Sequence, residues 1–512
     1  MNALALLLLL PLLGFFFILL LPRDSKSAFY IALTASIAAF LVSLGLIGPA
    51  TADGGHFTSV INQSWTDVPG MQIRFHLGID GINLWLLLLT TFLLPIGVWM
   101  AESMIPERKK TFFAFLMLFE FGLVGVFSAL DLFVFYVFWE VALIPMYLMV
   151  GAWGSGKRGP AAVKFFVYTF AGSVLMLVSI IYLHSLTGTF DYADIISKFS
   201  SGAVVLSNSQ QLYLFLGFLA AFAVKVPIFP FHTWLPNAYT EAPAPATFLL
   251  AAVMSKMGTY GLLRYTVGLF PGAARSCAKW VIVLAIIGII YGALLALIQP
   301  NVKRLIAYSS VSHLGFIVLG IFTLSQQGAD GAVYQMIAHG LSTGALFLLA
   351  GYLEQRRGSM EIADFGGVAT PAPGLAIAFM IAMFASVGLP TLCNFIGEFL
   401  VLQGAALTHF SWAVWAATGV VLSAAYMLWM YQRTFLGKTT SYTARFPDLK
   451  LGDWIPVVPL IAMMFWLGCY TQTFMPPISS ATSRIIDQSR SQDEYRVALQ
   501  SRNDVAEVRG AR

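Results

Sequence analysis

The chain has 512 residues, of which 58% are hydrophobic and only 10% are charged, and its net charge is +5. A soluble domain carries about 25% charged residues, so this composition excludes a water-soluble monomer and predicts a protein embedded in the lipid bilayer. The basic residues do not form one patch, and we expect no nucleic-acid partner.

The three cysteines, Cys277, Cys393 and Cys469, lie far apart. Zinc and iron–sulfur sites need clustered thiolates, so we expect no metal and no bound cofactor in this chain.

Apolar windows long enough to cross a membrane recur along the chain. A spanning helix needs about 20 mostly apolar residues, and the sequence predicts about 14 such helices by this criterion. The first window is read as a membrane span and not as a signal peptide, because no basic residue precedes it and no small-residue cleavage site follows it. The windows cover residues 4–21, 28–47, 82–100, 112–130, 132–151, 162–186, 212–231, 242–270, 280–298, 305–324, 332–353, 374–407, 412–435 and 454–469.

Basic residues fall in alternate loops between these windows. Because cytoplasmic loops carry an excess of lysine and arginine, this alternation predicts that these loops are cytoplasmic and that both termini lie on the outer side. The residues in question are Arg23, Lys26, Arg108, Lys109, Lys110, Lys157, Arg158, Lys303, Arg304, Arg356, Arg357, Arg433, Lys438, Arg445 and Lys450.

Two acids and two amines lie inside four different predicted spans: Glu140, Lys225, Lys256 and Glu398. A charge at the bilayer centre costs roughly 2.5–3.5 kcal/mol on insertion scales. We therefore interpret this set as a charge pathway, with static ion pairs as the alternative. His313 and His339 share helix faces with hydroxyl and amide side chains and are relay candidates, although a lone buried histidine is more often a packing residue.

Prolines interrupt two of the spans beside these charges. Pro227 follows Lys225 closely, and Pro390 precedes Glu398. Proline removes a backbone donor, and carbonyls freed in a membrane must meet protein or water. A broken helix in each half is typical of inverted repeats. The sequence thus predicts an all-α polytopic membrane protein with two inverted five-helix repeats, at residues 111–270 and 271–436. Three helices precede them at 1–110, a loop and last helix follow at 437–478, and a polar tail covers 479–512.

Three long motifs occur in order: "FPFHTWLPNAYTEAPAPATFLLAAVMSKMGTYGLLRY", "QPNVKRLIAYSSVSHLGF" and "GLPTLCNFIGEFLVL". Together they resemble the proton-conducting membrane subunit family of respiratory complex I. The resemblance extends over nearly the whole chain. Glu398 in the second broken span favours the branch of the family that has glutamate there, since sister subunits and sodium/proton antiporters usually carry lysine.

The resemblance implies roles for individual residues. Glu140 resembles the acid that pairs with the broken-helix lysine, Lys225, and Lys256 looks like a central relay. Glu398 looks like the terminal site toward the outer half-channel. The candidate polar relays are His232, His313 and His339.

The resemblance also implies the setting. The chain would be a proton-translocating, antiporter-like subunit that couples NADH:quinone electron transfer to proton pumping in a bacterial inner membrane. Its partners would be lipid and the other membrane-arm subunits, including neighbouring antiporter-like ones. NADH, FMN, iron–sulfur clusters and quinone would bind in other subunits. Alternative interpretations are a subunit of a multisubunit sodium/proton antiporter, a subunit of a proton-pumping membrane hydrogenase, and a purely structural scaffold.

Overall fold

The computed structural model describes residues 2–490, except 24, 53, 54 and 69. The first part of the described chain is helical apart from one antiparallel hairpin of two strands. Its elements are α1 (Ala3–Leu20), α2 (Ser27–Leu44), α3 (Ile47–Ala52), β1 (Thr58–Val68), β2 (Met71–Ile79), α4 (Asn83–Met104), α5 (Lys109–Ser128), α6 (Leu132–Trp153), α7 (Arg158–Thr187), α8 (Tyr192–Ser200) and α9 (Asn208–Lys225).

The remaining elements complete the helical bundle. They are α10 (Leu235–Glu241), α11 (Ala244–Leu249), α12 (Ser255–Gly261), α13 (Pro271–Leu297), α14 (Val302–Phe322), α15 (Gln326–Arg357), α16 (Pro373–Val387), α17 (Cys393–Thr408), α18 (Phe410–Phe435) and α19 (Leu451–Cys469). Two π-helical segments, Leu250–Met254 and Leu262–Val267, flank α12.

The predicted polytopic helical fold is confirmed. Among the described residues, 12 helical segments are long and apolar enough to cross a membrane. The apolar helix α9 and the α16–α17 pair occupy the two remaining predicted windows. Both predicted interruptions are present, because α9 ends at Lys225 and α16 ends before Pro390.

Hydrogen bonds between loops define two opposite faces of the bundle. On one, the basic face, Trp153 Nε1 donates to Glu107 O at 2.8 Å and Gln355 Nε2 donates to Ser103 O at 2.9 Å. This face is formed by the loops that carry Lys110, Lys157, Lys303 and Arg356. On the other, the hairpin face, Leu130 N donates to His76 O of β2 at 2.8 Å. The predicted alternation of basic loops therefore corresponds to one physical surface.

An inverted symmetry relates the two halves. Isolated antiparallel bridges join Asp131 to Asp191 in the first half and Asn301 to Glu361 in the second. Asp131 and Asn301 each cap the second helix of their half, α6 and α14. The first bridge lies on the hairpin face and the second on the basic face, as an inverted repeat requires. The bridged segments also match in sequence, "GTFDYADI" at 188–195 and "GSMEIADF" at 358–365. The boundaries given above for the repeats stay a prediction.

The chain after α19 continues along the hairpin face. Residues 475–490 are helical, and Ile478, Ile485 and Ile486 are buried. Gln488 Nε2 donates to Gly268 O at 3.2 Å. The predicted polar tail therefore begins inside a packed helix, and its residues 491–512 lie outside the described part of the chain.

Asp131 caps α6 between two membrane spans. Its Oδ1 accepts hydrogen bonds from Phe133 N at 2.9 Å and Val134 N at 3.1 Å, as an N-cap should. Burial, reinforced by the nearby Asp191 carboxylate, raises the pKa of the Asp131 carboxyl from 3.8 to about 6. The folded chain therefore holds this proton more tightly than the unfolded chain does.

Acidification from about pH 7 to about pH 5 should consequently stabilise the fold through Asp131, because the folded pKa is the higher one. We expect Asp131→Asn to remove this contribution while the cap persists, since asparagine caps helices as well as aspartate. The measurement is the apparent melting temperature of the purified assembly at both pH values. The rise in melting temperature on acidification should be a few degrees smaller in Asp131→Asn than in the unmodified chain. An unchanged pH response would contradict the assignment.

Candidate functional site

Lys225 ends the broken helix α9 inside the bundle. Its side chain is buried, and Nζ lies 5.1 Å from the ring centroid of Trp139 and 5.8 Å from that of Phe165. No described residue hydrogen-bonds to Nζ. Cation–π contacts of this kind stabilise a desolvated ammonium, but they leave its hydrogen-bonding capacity free.

A glycine brings this break against α12. A Cβ on Gly258 would lie 3.0 Å from Lys225 Cβ and 2.6 Å from Val226 Cγ2, so only glycine permits this approach without displacement. Lys256 is two residues away on the same helix. The break and the predicted central relay are thus neighbours.

Glu140 and Lys225 do not form a direct ion pair in this structure. One carboxylate oxygen of Glu140, Oε1, is buried without a hydrogen-bond partner, as is Lys225 Nζ. The two groups are nevertheless close enough to interact electrostatically. The contact expected from the resemblance is therefore absent between these two described side chains, and their role as a pair stays a prediction.

Lys256 has two polar partners. Its Nζ donates to Ala251 O at 2.9 Å and lies 2.8 Å from His339 Nδ1. Ala251 belongs to the π-helical segment before α12. In a π-turn the carbonyl of residue i pairs with residue i+5 instead of i+4. Here the side chain of Lys256, five residues after Ala251, donates to the Ala251 carbonyl. The sequence analysis contained no signal for this π-turn.

Glu398 lies at the other end of the buried polar groups, on α17. Its Oε1 is 2.8 Å from His313 Nδ1 and accepts a hydrogen bond from Gln335 Nε2 at 3.0 Å. Close packing of α17 on α15 depends on Gly397, where a Cβ would lie 2.8 Å from Gln335 N. The carboxylate is thus held by side chains from α14 and α15.

The two histidines connect these ends. The ring centroids of His313 and His339 are 5.8 Å apart. On its other side, His313 Nε2 lies 3.4 Å from Ser423 Oγ and 3.5 Å from Tyr426 OH. Four buried ionisable groups therefore follow one another from α12 through α15 and α14 to α17: Lys256, His339, His313 and Glu398. We call these four residues the polar line.

His232 lies elsewhere. It is buried in the α9–α10 break, stacked on Phe229 with centroids 5.7 Å apart, and its Nδ1 has no partner among the described residues. Lys164 reaches the same break, where Nζ donates to Thr233 O at 2.9 Å. The structure therefore groups His232 with Lys225 and not with the polar line.

Sequence reasoning missed several partners of these groups. The sequence analysis gave no role to Gln335, which proves to bind Glu398, or to Ser423 and Tyr426 on α18. No local pattern marks them, because only the packing of α18 on α14 brings them to His313.

Glu120 on α5 is fully buried, and neither of its carboxylate oxygens has a hydrogen-bond partner among the described residues.

The described part of the chain contains no group of three or more His, Cys, Asp or Glu side chains that could hold a metal ion. What the polar line can do chemically is bind and transfer protons. Each of its members is both a proton donor and a proton acceptor, according to its protonation state.

Comparisons with known proteins identify the family of this chain. The profile of the family described as "NADH:quinone oxidoreductase/Mrp antiporter, TM" matches residues 129–424. The "NADH-quinone oxidoreductase subunit M" of Rhodobacter capsulatus is 40% identical over 473 residues, which cover 91% of each chain.

Solved structures show the same fold. A chain of "Respiratory complex I from Thermus thermophilus with bound NADH" is 32% identical, with a TM-score of 0.84 over 94% of this chain and 99% of that one. A chain of the "Mrp complex from Dietzia sp. DQ12-45-1b" shares the fold at 21% identity, with a TM-score of 0.83 over 96% of this chain and 99% of that one. The chain therefore belongs to the NADH:quinone oxidoreductase/Mrp antiporter transmembrane family, and its relative in Rhodobacter capsulatus is a subunit M.

Proposed function

We propose that this chain is a proton-translocating membrane subunit of a complex I type NADH:quinone oxidoreductase. The observation that carries the proposal is the polar line, in which a lysine, two histidines and a glutamate follow one another in the bundle interior. The relative in Rhodobacter capsulatus, which matches nearly the full length, carries the oxidoreductase subunit name. A charge buried in a bilayer is costly and is typical of transport pathways.

The contacts suggest how a proton would pass. Lys256 Nζ and His339 Nδ1 are 2.8 Å apart, as are His313 Nδ1 and Glu398 Oε1, and a proton can cross each of these hydrogen bonds directly. Between the rings of His339 and His313, a single bridging water would complete the hydrogen-bonded path. Ser423 and Tyr426 support the far side of His313 and help to orient its ring.

Lys225 is not a member of the polar line, and its charge would regulate the protonation of Lys256. Its ammonium has no hydrogen-bond partner among the described residues, and its backbone lies against α12 beside Gly258. Two positive charges repel strongly at low dielectric, so a proton on Lys225 disfavours a proton on Lys256. Movement of Glu140 toward Lys225 would neutralise this effect. Events in other subunits could then drive the proton along the line.

The setting of the chain is part of the proposal. The basic face would be cytoplasmic, as the excess of basic residues in cytoplasmic loops favours, and the N-terminus periplasmic, in a bacterial inner membrane. The subunit would be seated among other membrane-arm subunits, including antiporter-like neighbours. NADH, FMN, iron–sulfur clusters and quinone would bind in those other subunits, and this chain would carry protons only.

The experiment compares inside-out membrane vesicles that contain the unmodified chain or Lys225→Met. Because methionine removes the charge that regulates the protonation of Lys256, we expect NADH-driven acidification of the lumen to fall about tenfold or more, which corresponds to roughly 1.4 kcal/mol of lost electrostatic coupling, and NADH oxidation to fall with it. Lys157→Met, which removes an exposed loop charge, is the matched control and should pump normally. Normal pumping by Lys225→Met would contradict the proposal. Sodium-dependent antiport in the same vesicles would then favour the alternative, a subunit of a sodium/proton antiporter.

A further inference from the structure

A pocket with a strong positive charge opens on the basic face, between the α1–α2 loop, the end of α4 and the start of α5. Its volume is about 250 Å³, which has room for about eight water molecules at roughly 30 Å³ each. Among the described residues that line it, one is acidic, Glu102, and five are basic: Arg23, Lys26, Arg108, Lys109 and Lys110. These six side chains carry a net charge of +4. Asp24, beside Arg23 in the sequence, lies outside the described residues.

Two of the five cations already have partners. Lys109 Nζ lies 3.0 Å from Glu102 Oε1 and donates to Glu102 O at 2.5 Å. Lys110 Nζ donates to Leu19 O at 2.9 Å, near the end of α1. These contacts hold the α4–α5 loop in place and fix the shape of the pocket, and they neutralise only one of the five positive charges.

The other three cations have no partner of this kind. Arg23, Lys26 and Arg108 are exposed, and no described residue forms a hydrogen bond or an ion pair with their side chains. They belong to two separate loops that meet only at this pocket. Like charges brought together in this way repel one another, and the repulsion is relieved when an anion binds between them.

Two helix N-termini add to the positive potential. Helix α2 follows Lys26, and helix α5 follows Arg108. Neither of these N-cap side chains accepts a hydrogen bond from its helix, and neither first turn contains an acidic residue. The N-terminal end of a helix carries a partial positive charge that favours anions. Basic residues at both of these ends are therefore unfavourable in isolation and favourable around a bound anion.

The pocket also has an apolar side that adjoins the bilayer. Phe29 of α2 and Phe113 of α5 line it, with ring centroids 6.0 Å apart. Tyr30, whose ring centroid is 5.2 Å from that of Phe29, is 64% exposed, and Leu20 at the end of α1 is 81% exposed. Exposed tyrosines are enriched at the level of the lipid headgroups. A ligand that fits this place combines an anionic group with an apolar part.

We propose that this pocket binds the phosphodiester headgroup of an anionic phospholipid, with the acyl chains lying along α1 and α2. Arg23, Lys26 and Arg108 supply charge-assisted hydrogen bonds to the phosphate oxygens. Phe29 and Phe113 pack against the glycerol and the first methylenes. Free phosphate would use only the charged part of the pocket. The bound lipid joins the α1–α2 loop to the α4–α5 loop, and this role does not depend on the proposed function.

The test uses the assembled complex reconstituted in phosphatidylcholine bilayers that contain a small fraction of photoreactive phosphatidylglycerol, with the reactive group close to the glycerol. Labelled peptides of this chain are identified by mass spectrometry after illumination. We expect labels on residues 25–30 and 106–113, at least about fivefold stronger than those from photoreactive phosphatidylcholine, because each basic residue favours an anionic headgroup. Unlabelled phosphatidylglycerol should displace the label, while unlabelled phosphatidylcholine and inorganic phosphate should not.

Two triple variants test the residues themselves. The pocket variant replaces the three unpaired cations: Arg23→Gln, Lys26→Gln and Arg108→Gln. The matched control replaces one lysine and two arginines that are exposed elsewhere on the basic face: Lys157→Gln, Arg304→Gln and Arg445→Gln. Labelling of the two segments should fall about fivefold or more in the pocket variant and should be unchanged in the control.

Three results would overturn the lipid site. They are equal labelling by the two photoreactive lipids, an equal loss of labelling in both triple variants, and displacement of the label by inorganic phosphate, which would assign the pocket to a free anion. If the pocket variant fails to assemble, the competition between the two unlabelled lipids in the unmodified complex still tests the proposal. Equal competition by phosphatidylcholine and phosphatidylglycerol would then overturn it.

Discussion

Replacing Lys256 with methionine should stop proton pumping by this subunit while leaving the protein folded. Methionine matches the apolar stem of lysine in length but can neither bind nor release a proton. The hydrogen bonds from Nζ to Ala251 O and to His339 Nδ1 are lost. We expect the NADH-driven pumping rate to fall by roughly two orders of magnitude, within the usual range for a lost proton-transfer group.

The stability of the same variant separates a conducting role from a structural one. Removing a buried ammonium relieves a desolvation cost of roughly several kcal/mol, which offsets the about 1–3 kcal/mol lost by leaving the Ala251 carbonyl and His339 Nδ1 without this partner. The apparent melting temperature of the assembled complex should therefore be unchanged or higher in Lys256→Met. Lys157→Met, which removes an exposed loop charge of the basic face, is a control that should affect neither quantity. Loss of pumping together with a lowered melting temperature would assign Lys256 to packing.

Replacing Glu398 with glutamine should block the far end of the polar line. The glutamine amide has nearly the shape of the carboxyl group and retains one oxygen for the hydrogen bond from Gln335 Nε2. It cannot ionise, so a proton arriving from His313 has no acceptor. We expect pumping to fall by about tenfold or more, with subunit content and assembly preserved.

The appropriate control is Glu398→Asp, which keeps the charge on a shorter side chain. Because the His313 Nδ1 to Glu398 Oε1 distance is 2.8 Å, shortening the side chain should weaken this contact and lower pumping only in part. The measurement is lumen acidification per NADH oxidised, in the same vesicles for all three forms. Glu398→Gln with normal coupling would mean that protons leave the line before Glu398.

Several features of the fold and site were predictable because they are local. Apolar windows predict membrane helices from length alone, and the two breaks follow from Pro227 and Pro390. Glu140, Lys225, Lys256 and Glu398 stand out because a charged residue inside an apolar window is rare and costly. The match between "GTFDYADI" and "GSMEIADF" was not predicted, and only the bridges at Asp191 and Glu361 within these segments revealed it.

Which of these groups touch was decided by the tertiary structure. Lys256 meets His339, and Glu398 meets His313 and Gln335, because α15 packs between α12 and α17 with glycines at the points of closest approach. Lys225 and Glu140, in contrast, remain apart although both were predicted to form one pair. The π-helical segment that contains the Ala251 carbonyl, to which Lys256 donates, has no signature in the residues around it.

The sequence by itself determined that the chain spans a membrane, where its spans lie and which charges are buried in them, because apolar length and the cost of desolvation act within each segment. Only the tertiary structure decided the order of those charges in space and the separation of Lys225 from Glu140. Contacts of this kind join residues from distant segments, and they depend on side-chain direction and helix packing to within a few tenths of an ångström.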